Sequence, residues 1–310
     1  MREIAVFGGI SHPALTAEIC AHLAVPPRPV LLKRFANDCL EVQLQSNCRE
    51  RDVFLIQSLV RPVQENLIEL LLMADAARGA SAARVTAVIP HYAYARSDKK
   101  DAPRISIGGR LIADLLVTAG VNRVLTLNLH SPQVHGFFSV PVDHLHALRE
   151  LASHFRQRDL SNAVVVSPDL GYAKSAAAFA RRLGLPVAAG AKERISDAEV
   201  HITAIIGDVA GRDVIVLDDE ISRGTTVFEL LDRLRDEGAR SVAVACTHGL
   251  FADNALDKLA ATADVTEIVC TNSAPIHAEH PKLTVLSVGP ALAEAISRIH
   301  NGESVSALFD

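Results

Sequence analysis

Residues 214–227 read Val214-Ile-Val-Leu-Asp-Asp-Glu-Ile-Ser-Arg-Gly-Thr-Thr-Val227, and this segment is the strongest indication of fold in the chain. An apolar run ends at two adjacent acids, and a short loop then leads into a helix that is expected to begin near Val227. Strands that are apolar at successive positions are covered on both faces, as in parallel sheets flanked by helices. The segment therefore predicts an α/β domain.

The loop after this run is suited to a sugar phosphate. Backbone N–H groups and hydroxyls at Gly224, Thr225 and Thr226 can donate to a phosphate at the positive end of the helix dipole. The adjacent carboxylates of Asp218 and Asp219 can accept hydrogen bonds from ribose hydroxyls. An alternative is that the acids only end a strand and that Thr226 only caps a helix. The order of apolar strand, paired acids and Gly-Thr-Thr favours a phosphoribosyl-binding site.

Similar strand and helix units lie on both sides of this segment. Three amphipathic helices are expected to end at Gly79, Gly120 and Gly238, where a left-handed residue can close a helix. The expected strands are Val53–Ile56, Val85–Pro90, Val124–Leu129, Val164–Val166, Val214–Leu217 and Val242–Cys246. We therefore predict two similar domains, residues 1–145 and 146–310, each a mostly parallel sheet flanked by helices.

Binding sites in parallel sheets lie beyond the carboxyl ends of the strands. The polar residues that follow the apolar runs are Tyr92–Arg104, His130, Asp169 and Asp218–Thr226. Taken alone, several of them have ordinary structural explanations. The basic stretch up to Arg104 resembles a solvated loop, His130 a satisfied polar residue at a strand end, and Asp169 a turn residue.

Composition excludes several classes of protein. The chain has 310 residues, of which 49% are hydrophobic, so it can bury two cores. No apolar run approaches the roughly 20 residues that span a bilayer, and the amino terminus lacks a signal sequence, so a cytoplasmic protein without membrane association is expected. The formal net charge of −5 argues against nucleic acid as a partner. The five cysteines include no Cys-x-x-Cys pair, which favours reduced structural thiols.

The chain resembles ribose-phosphate pyrophosphokinases along almost its whole length. Residues 214–227 resemble the ribose-phosphate-binding signature of the type I phosphoribosyltransferase fold. The other matching stretches are Phe7-Gly-Gly9, Asp52-Val-Phe-Leu-Ile-Gln-Ser58, Tyr94-Ala-Arg-Ser-Asp-Lys-Lys100, Leu127-Asn-Leu-His130, Gly136-Phe-Phe138, Ser167-Pro-Asp-Leu-Gly171, Cys246-Thr-His-Gly249 and Asn301-Gly-Glu-Ser-Val-Ser-Ala-Leu-Phe309. So many matches in order are more specific than any single motif.

The resemblance implies two type I phosphoribosyltransferase-like domains, the first holding ATP and the second holding ribose 5-phosphate, with Mg²⁺ as cofactor. The last helix can pack back on the first domain. The implied reaction moves diphosphate from Mg-ATP to the anomeric hydroxyl of ribose 5-phosphate, giving 5-phosphoribosyl 1-diphosphate and AMP. This makes the expected protein a transferase of nucleotide biosynthesis.

The resemblance also assigns roles to single residues. ATP would be bound by Phe35, Asn37, Cys39, Arg96, Ser97, Asp98, Arg104 and His130. Ribose 5-phosphate would be bound by Asp218, Asp219, Ser222, Arg223, Gly224, Thr225 and Thr226. The metal would be near His130 and Asp169, and Lys192 and Arg194 would be the cations of a mobile catalytic loop. Without the resemblance, Lys192 and Arg194 indicate only an ordinary exposed turn.

Some positions depart from the family pattern. Asn37 and Cys39 stand where acids are usual, and the loop after Lys192 is shorter than usual. The other departures are Ser97 for a glutamine, Tyr172 for a glycine, and Ser222 and Arg223 for an aspartate and a threonine. They predict altered tuning of the adenine and phosphate contacts.

Two other functions remain open at this point. One is a phosphoribosyltransferase, which consumes the activated sugar and shares the Asp-Asp loop. The other is a weak or inactive paralogue that acts as a regulatory or assembly subunit in a hetero-oligomer with an active homologue. The resemblance further implies a homo-oligomer of dimers assembling to a hexamer, with phosphate or ADP as regulators. Residues that resemble parts of that regulatory site are Ser46, Arg49, Ser81, Ser304 and Ser306.

Overall fold

The structure is a computed structural model that describes residues 2–194 and 200–308, without the side chains of residues 192–194, 200 and 201. Its strands are β1 (Ile4–Gly8), β2 (Val30–Arg34), β3 (Leu40–Leu44), β4 (Asp52–Ile56), β5 (Arg84–Ile89), β6 (Arg123–Leu127), β7 (Val142–Leu145), β8 (Ala163–Ser167), β9 (Val187–Arg194), β10 (Val200–Ile206), β11 (Asp213–Ile221), β12 (Ser241–Gly249), β13 (Val265–Thr271) and β14 (Leu283–Leu286). Its helices are α1 (Pro13–His22), α2 (Val63–Gly79), α3 (Gly108–Ala119), α4 (Leu148–Phe155), α5 (Ala173–Leu183), α6 (Thr225–Asp236), α7 (Ala255–Ala261) and α8 (Gly289–Asn301). The predicted α/β class with parallel sheets flanked by helices is confirmed.

The chain forms two compact units. The first comprises Met1–His146, Ser273–Pro275 and Val288–Asp310, and the second comprises Ala147–Asn272 and Ile276–Ser287. The chain thus passes from the first unit to the second after His146, while helix α8 belongs to the first. None of the helices that the structure describes combines the length and apolar character needed to cross a bilayer.

The first unit contains a five-stranded sheet of order β1-β4-β5-β6-β7, in which every pairing is parallel. Strand β4 is buried at all five positions, because helices cover the sheet on both faces. Strands β2 and β3 form a separate antiparallel hairpin whose β3 packs against α2. Helix α8 packs against α1.

The second unit contains a seven-stranded sheet of order β10-β9-β8-β11-β12-β13-β14. All its pairings are parallel except that of the edge strand β10 with β9. Strand β11 lies between β8 and β12, and its residues 214–217 are buried. Its acidic carboxyl end is therefore delivered to the middle of the sheet edge.

Two of the three predicted helix-closing glycines have the expected conformation. Gly120 follows α3 with φ of 114° and Gly238 follows α6 with φ of 77°. At Gly79 the predicted end of the helix is correct, since this is the last residue of α2, but the predicted left-handed conformation is wrong. The left-handed residue is Ser81, with φ of 61°.

A buried ionic cluster fixes α8 to the sheet of the first unit. Asp52, which is 2% exposed, accepts a hydrogen bond from Nε of Arg84 at 2.8 Å and lies 2.9 Å from Nδ1 of His300. The Nη2 group of Arg84 also donates to the carbonyl of Ile299 at 2.9 Å. One carboxylate at the start of β4 therefore orients the side chains of Arg84 and His300, and through Arg84 the end of a helix remote in sequence.

Replacing Asp52 by alanine is expected to lower the free energy of unfolding by about 3 kcal/mol, since removing one partner of a buried ion pair leaves the other uncompensated. Urea denaturation would measure this loss. Asp75→Ala is the matched control, because Asp75 forms an exposed pair with Arg78 that contributes about 0.5 kcal/mol or less. Equal effects of the two substitutions would contradict a stabilising role for the buried cluster.

Candidate functional site

The paired acids lie at the carboxyl end of β11. Asp219 is buried, whereas Asp218 is partly exposed. The backbone N–H of Asp219 donates to Oδ1 of Asp218 at 2.8 Å, which orients the Asp218 carboxylate. Asp218 is the less buried of the two, but the protein still surrounds most of its carboxylate, and the two side chains are close enough to hydrogen-bond to each other.

Asp169 lies in the loop after the neighbouring strand β8. Its Oδ1 accepts a hydrogen bond from the backbone N–H of Tyr172 at 3.0 Å, and its carbonyl accepts one from the hydroxyl of Ser167 at 2.6 Å. These bonds turn its carboxylate back onto the start of α5. Tyr172 takes part through its backbone, so a side chain in place of the family's glycine leaves this contact intact.

The three carboxylates influence one another. Burial raises the pKa of Asp218 well above its ordinary value, and the negative charges of Asp219 and Asp169 raise it further. The hydrogen bond from the Asp219 backbone acts in the opposite direction. A carboxyl group in this environment gains by binding a cation or by accepting hydrogen bonds from hydroxyl groups.

The loop after β11 leads directly into the start of α6. The helix begins at Thr225, two residues before the predicted start near Val227, and Gly224 precedes it in a left-handed conformation with φ of 76°. The first turn of α6 contains no acidic residue, and no side chain accepts a hydrogen bond as its cap. Thr226 lies inside the first turn, so the alternative that it caps the helix is wrong. Ser222 is partly buried and Arg223 is exposed.

Lys192 and Arg194 belong to β9, and the backbone of Lys192 is paired with that of Ile202 in β10. The resemblance implied a loop at this point, but the backbone remains a strand through Arg194. Both side chains lie outside the described residues, so their predicted catalytic role stays a prediction.

In the first unit, the segment after β5 forms a short 3-10 turn, Ala93–Arg96. Ser97 accepts a hydrogen bond from the backbone N–H of Gly108 at 2.8 Å, and Asp98 accepts one from the hydroxyl of Ser131 at 2.5 Å. This last contact joins the loops that follow β5 and β6. Asp98 therefore contacts the residue that directly follows His130.

The two arginine candidates and the histidine candidate of the first unit are exposed. Arg96, Arg104 and His130 all present their side chains to solvent. Arg104 has a left-handed backbone with φ of 64°, which indicates a tight turn at that position. Exposed guanidinium groups of this kind are suited to bidentate contacts with phosphate.

The remaining candidates lie at the tip of the β2–β3 hairpin. Phe35, Asn37 and Cys39 are all exposed there. The ammonium of Lys33 lies 4.7 Å from the centre of the Phe35 ring, and Oδ1 of Asn37 accepts a hydrogen bond from the backbone N–H of Cys39 at 3.3 Å. Arg34 pairs with both Asp38 and Glu65, so the tip is tied to the start of α2.

The structure thus gathers the predicted residues into three groups. The carboxylates and the phosphate loop belong to the second unit, whereas the loops after β5 and β6 and the hairpin tip belong to the first. Among the residues that the structure describes, no group of three or more His, Cys, Asp and Glu side chains is arranged to hold a metal ion. Asp253, which lies beside Arg223, was not among the residues predicted from the sequence. Extending the strand-end rule to the residues after β12 would have found it.

Two family models match the chain. Residues 4–120 match the N-terminal domain of ribose phosphate pyrophosphokinase, and residues 191–310 match the phosphoribosyl synthetase-associated domain.

Full-length relatives agree with both matches. A protein of Streptomyces coelicolor named putative ribose-phosphate pyrophosphokinase is 71% identical over 312 residues, covering 100% of this chain and 98% of that protein. A ribose-phosphate pyrophosphokinase of Deinococcus radiodurans is 50% identical and covers 98% of this chain and 97% of its own length. The crystal structure of phosphoribosylpyrophosphate synthetase from Mycobacterium smegmatis has a TM-score of 0.91 and 37% identity, covering 97% of this chain and 100% of the other. The chain therefore belongs to the ribose-phosphate pyrophosphokinase family.

Proposed function

We propose that this protein is a ribose-phosphate diphosphokinase, which transfers diphosphate from ATP to the anomeric hydroxyl of ribose 5-phosphate and releases AMP. The observation that carries the proposal is the carboxyl end of β11. Two carboxylates lie there, and a short loop leads from them to the N-terminus of α6, which is suited to binding an anion. Full-length relatives with the same family name support it.

The second unit would hold ribose 5-phosphate. Asp218 and Asp219 would accept hydrogen bonds from the ribose hydroxyls, and the loop from Ser222 to Thr226 would hold the 5-phosphate. The first turn of α6 carries no acid that would repel a phosphate. The positive end of the helix dipole, together with backbone N–H groups that point out of a helix N-terminus, favours a dianion there.

The residues present fit Mg²⁺. Magnesium prefers oxygen ligands, and usually takes one or two carboxylates while keeping waters and substrate phosphate oxygens. Asp169 and Asp218 supply such oxygens. The pKa of Asp218 is raised by burial and then by the neighbouring carboxylates, and a divalent cation would compensate the charge that both effects disfavour. His130 would contact the magnesium that accompanies ATP. When bound, the ion would neutralise phosphate charge.

The first unit would hold ATP. The exposed guanidinium groups of Arg96 and Arg104 would contact the phosphates, together with Ser97 and Asp98. At the hairpin tip, the exposed Phe35 ring would stack on the base, beside Asn37 and Cys39. Cys39 cannot accept hydrogen bonds as strongly as a carboxylate, so the base contacts would differ from those of an acidic tip.

The chemistry needs little covalent help from the protein. The anomeric oxygen would form a bond to the β-phosphorus while the bond from that phosphorus to the bridging α-phosphate oxygen breaks, and the hydroxyl proton is released to solvent. Lys192 and Arg194 would neutralise charge as the phosphorus is attacked. Positioning and charge neutralisation would supply most of the rate.

The family resemblance further supports a cytoplasmic homo-oligomer, built from dimers that assemble to a hexamer, with phosphate or ADP as regulators. A phosphoribosyltransferase or a regulatory subunit paired with an active homologue would give different products. The purified chain, incubated with Mg²⁺, ATP and ribose 5-phosphate, is expected to form AMP and 5-phosphoribosyl 1-diphosphate in equal amounts. Product formation only from the activated sugar plus a nucleobase, or only beside an active homologue, would overturn the proposal.

Asp218→Ala is expected to lower kcat/KM for AMP formation about 100-fold or more, since hydrogen bonds to a charged group contribute on the order of 1.5–3 kcal/mol each. Asp213→Asn is the matched control, because Asp213 lies at the opposite end of the same strand and pairs with Arg240. Steady-state kinetics on both variants would decide. Similar losses in the two would indicate a general effect on β11.

Asp218→Asn is expected to raise the melting temperature at pH 7 in metal-free buffer. The folded-state pKa of Asp218 is raised, so the wild-type protein loses stability as pH rises from about 4, the pKa in the unfolded chain, through the folded-state value. The gain from asparagine should therefore be absent below about pH 4 and grow as pH rises.

Asp213→Asn should have the opposite sign in the same melting experiments. Arg240 lowers the pKa of Asp213, which therefore stabilises the fold above about pH 4. A melting temperature of Asp218→Asn below that of the wild type at pH 7 would contradict the repulsion argued for the acid cluster.

Lys192→Ala is expected to lower kcat about 100-fold or more while leaving the affinity for ribose 5-phosphate nearly unchanged, since one lost transition-state contact typically costs this much. Single-turnover kinetics and calorimetry would separate the two quantities. A loss confined to substrate affinity would reassign Lys192 from catalysis to binding.

A further inference from the structure

Arg223 precedes the helix start in the proposed phosphate loop. Its side chain is 72% exposed, and its Nε lies 2.8 Å from Oδ2 of Asp253, which is 53% exposed. The guanidinium is thus engaged by a carboxylate at the mouth of a loop whose proposed ligand is itself an anion. Asp253 and a bound phosphate would compete for the same cation.

Asp253 is fixed in place by its backbone. It belongs to a short segment in which Phe251, Asp253 and Asn254 have φ of 44°, 56° and 60°. Left-handed backbone is costly for residues other than glycine and persists where the surrounding structure imposes it. The backbone of this segment therefore sets the direction in which the Asp253 side chain leaves the chain.

The same segment is tied to the loop that it faces. The backbone N–H groups of Leu250 and Phe251 both donate to the carbonyl of Ile221, at 2.9 and 3.0 Å. Ile221 is the last residue of β11, directly before the phosphate loop. The backbone segments that carry Asp253 and Arg223 are therefore held side by side.

A carboxylate and a phosphate dianion bind the Arg223 guanidinium with different strength. An exposed pair between a guanidinium and a carboxylate is weak and is screened by salt. A guanidinium bound to a phosphate dianion is stronger, because two parallel charge-assisted hydrogen bonds can form. A phosphate that enters the loop should displace Asp253 from Arg223, and the lost pair reduces the net affinity.

We propose that Asp253 is a positioning residue that holds Arg223 in the ligand-free protein and exchanges it for the 5-phosphate of ribose 5-phosphate, which sets the affinity for this substrate. The inference rests on the proposed function, because it takes the sugar phosphate as the ligand of the loop. It assigns to the pair a role in substrate affinity and none in the transfer step.

The test is a double-mutant cycle with Asp253→Asn, Arg223→Gln and the double variant. Asparagine keeps the left-handed backbone, so the fold should be retained. Calorimetry with ribose 5-phosphate is expected to show about 3- to 10-fold tighter binding by Asp253→Asn and about 10-fold weaker binding by Arg223→Gln, at low salt. In the Arg223→Gln background, Asp253→Asn should have no effect.

Kinetics and a second ligand add readouts that a merely structural role would not move. In Asp253→Asn the KM for ribose 5-phosphate should fall while kcat stays unchanged. The difference in KM between this variant and the wild type should shrink at high salt. Ribose without its phosphate should bind equally to the wild type and to Asp253→Asn. Asp208→Asn is the matched control, since Asp208 forms an exposed pair with Arg212 before β11, at the opposite edge of the sheet.

Weaker or unchanged binding of ribose 5-phosphate by Asp253→Asn would overturn the inference, as would an effect that persists without Arg223. If the wild type binds ribose 5-phosphate and Asp218→Ala does not, such a result leaves the proposed function standing. A wild-type protein that does not bind ribose 5-phosphate would overturn both.

Discussion

The parallel register of β11 between β8 and β12 is the constraint on which the chemistry of the second unit depends. Val216 is paired with Val166 on one side and with Val244 on the other, so the buried run ends one residue before the acids. A slip of one residue would exchange the two faces and send the buried apolar side chains to the wrong sides of the sheet. The hydrophobic core thus fixes the position of both acids at the end of the strand.

The acids at the carboxyl end of β11 lower the stability of the ligand-free protein at the place where ligands are proposed to bind. The same burial that fixes the strand raises the pKa of Asp218, and the neighbouring acids add repulsion. At the other end of the strand, Asp213 is compensated by Arg240 and its pKa is lowered. One strand therefore carries a stabilising acid where no ligand is expected and a destabilising one where a cation and hydroxyl groups are proposed. This contrast is typical of sites that are completed by their ligands.

Much of the architecture could be predicted from the sequence because parallel strands have continuous apolar runs. The runs at Val53–Ile56 and Val164–Val166 lie within β4 and β8. The β2–β3 hairpin and the antiparallel β10 were not predicted, because exposed or edge strands lack such a run and depend on what they pack against. The position of α8 depends on the buried pairing of Asp52 with Arg84 and His300, and contacts so remote in sequence leave no local signal.

The two units also differ in how their glycine-containing turns satisfy backbone N–H groups. In the first unit, the turn after β1 is closed from within: the buried carboxylate of Glu69 accepts from the backbone N–H of Ile10 at 3.1 Å, and Gln57 accepts from that of Ser11 at 3.1 Å. A side chain at Gly9 would collide with Gln57, so the turn is pressed against its internal acceptors. In the second unit, Gly224 leads into a helix start without any acid. Because an internal carboxyl group already accepts from the first turn, the second turn is the one proposed to take a phosphate from solution. The sequence shows glycines in both places, and the internal carboxylate that accepts from the first turn leaves no local signal by which the two could be told apart.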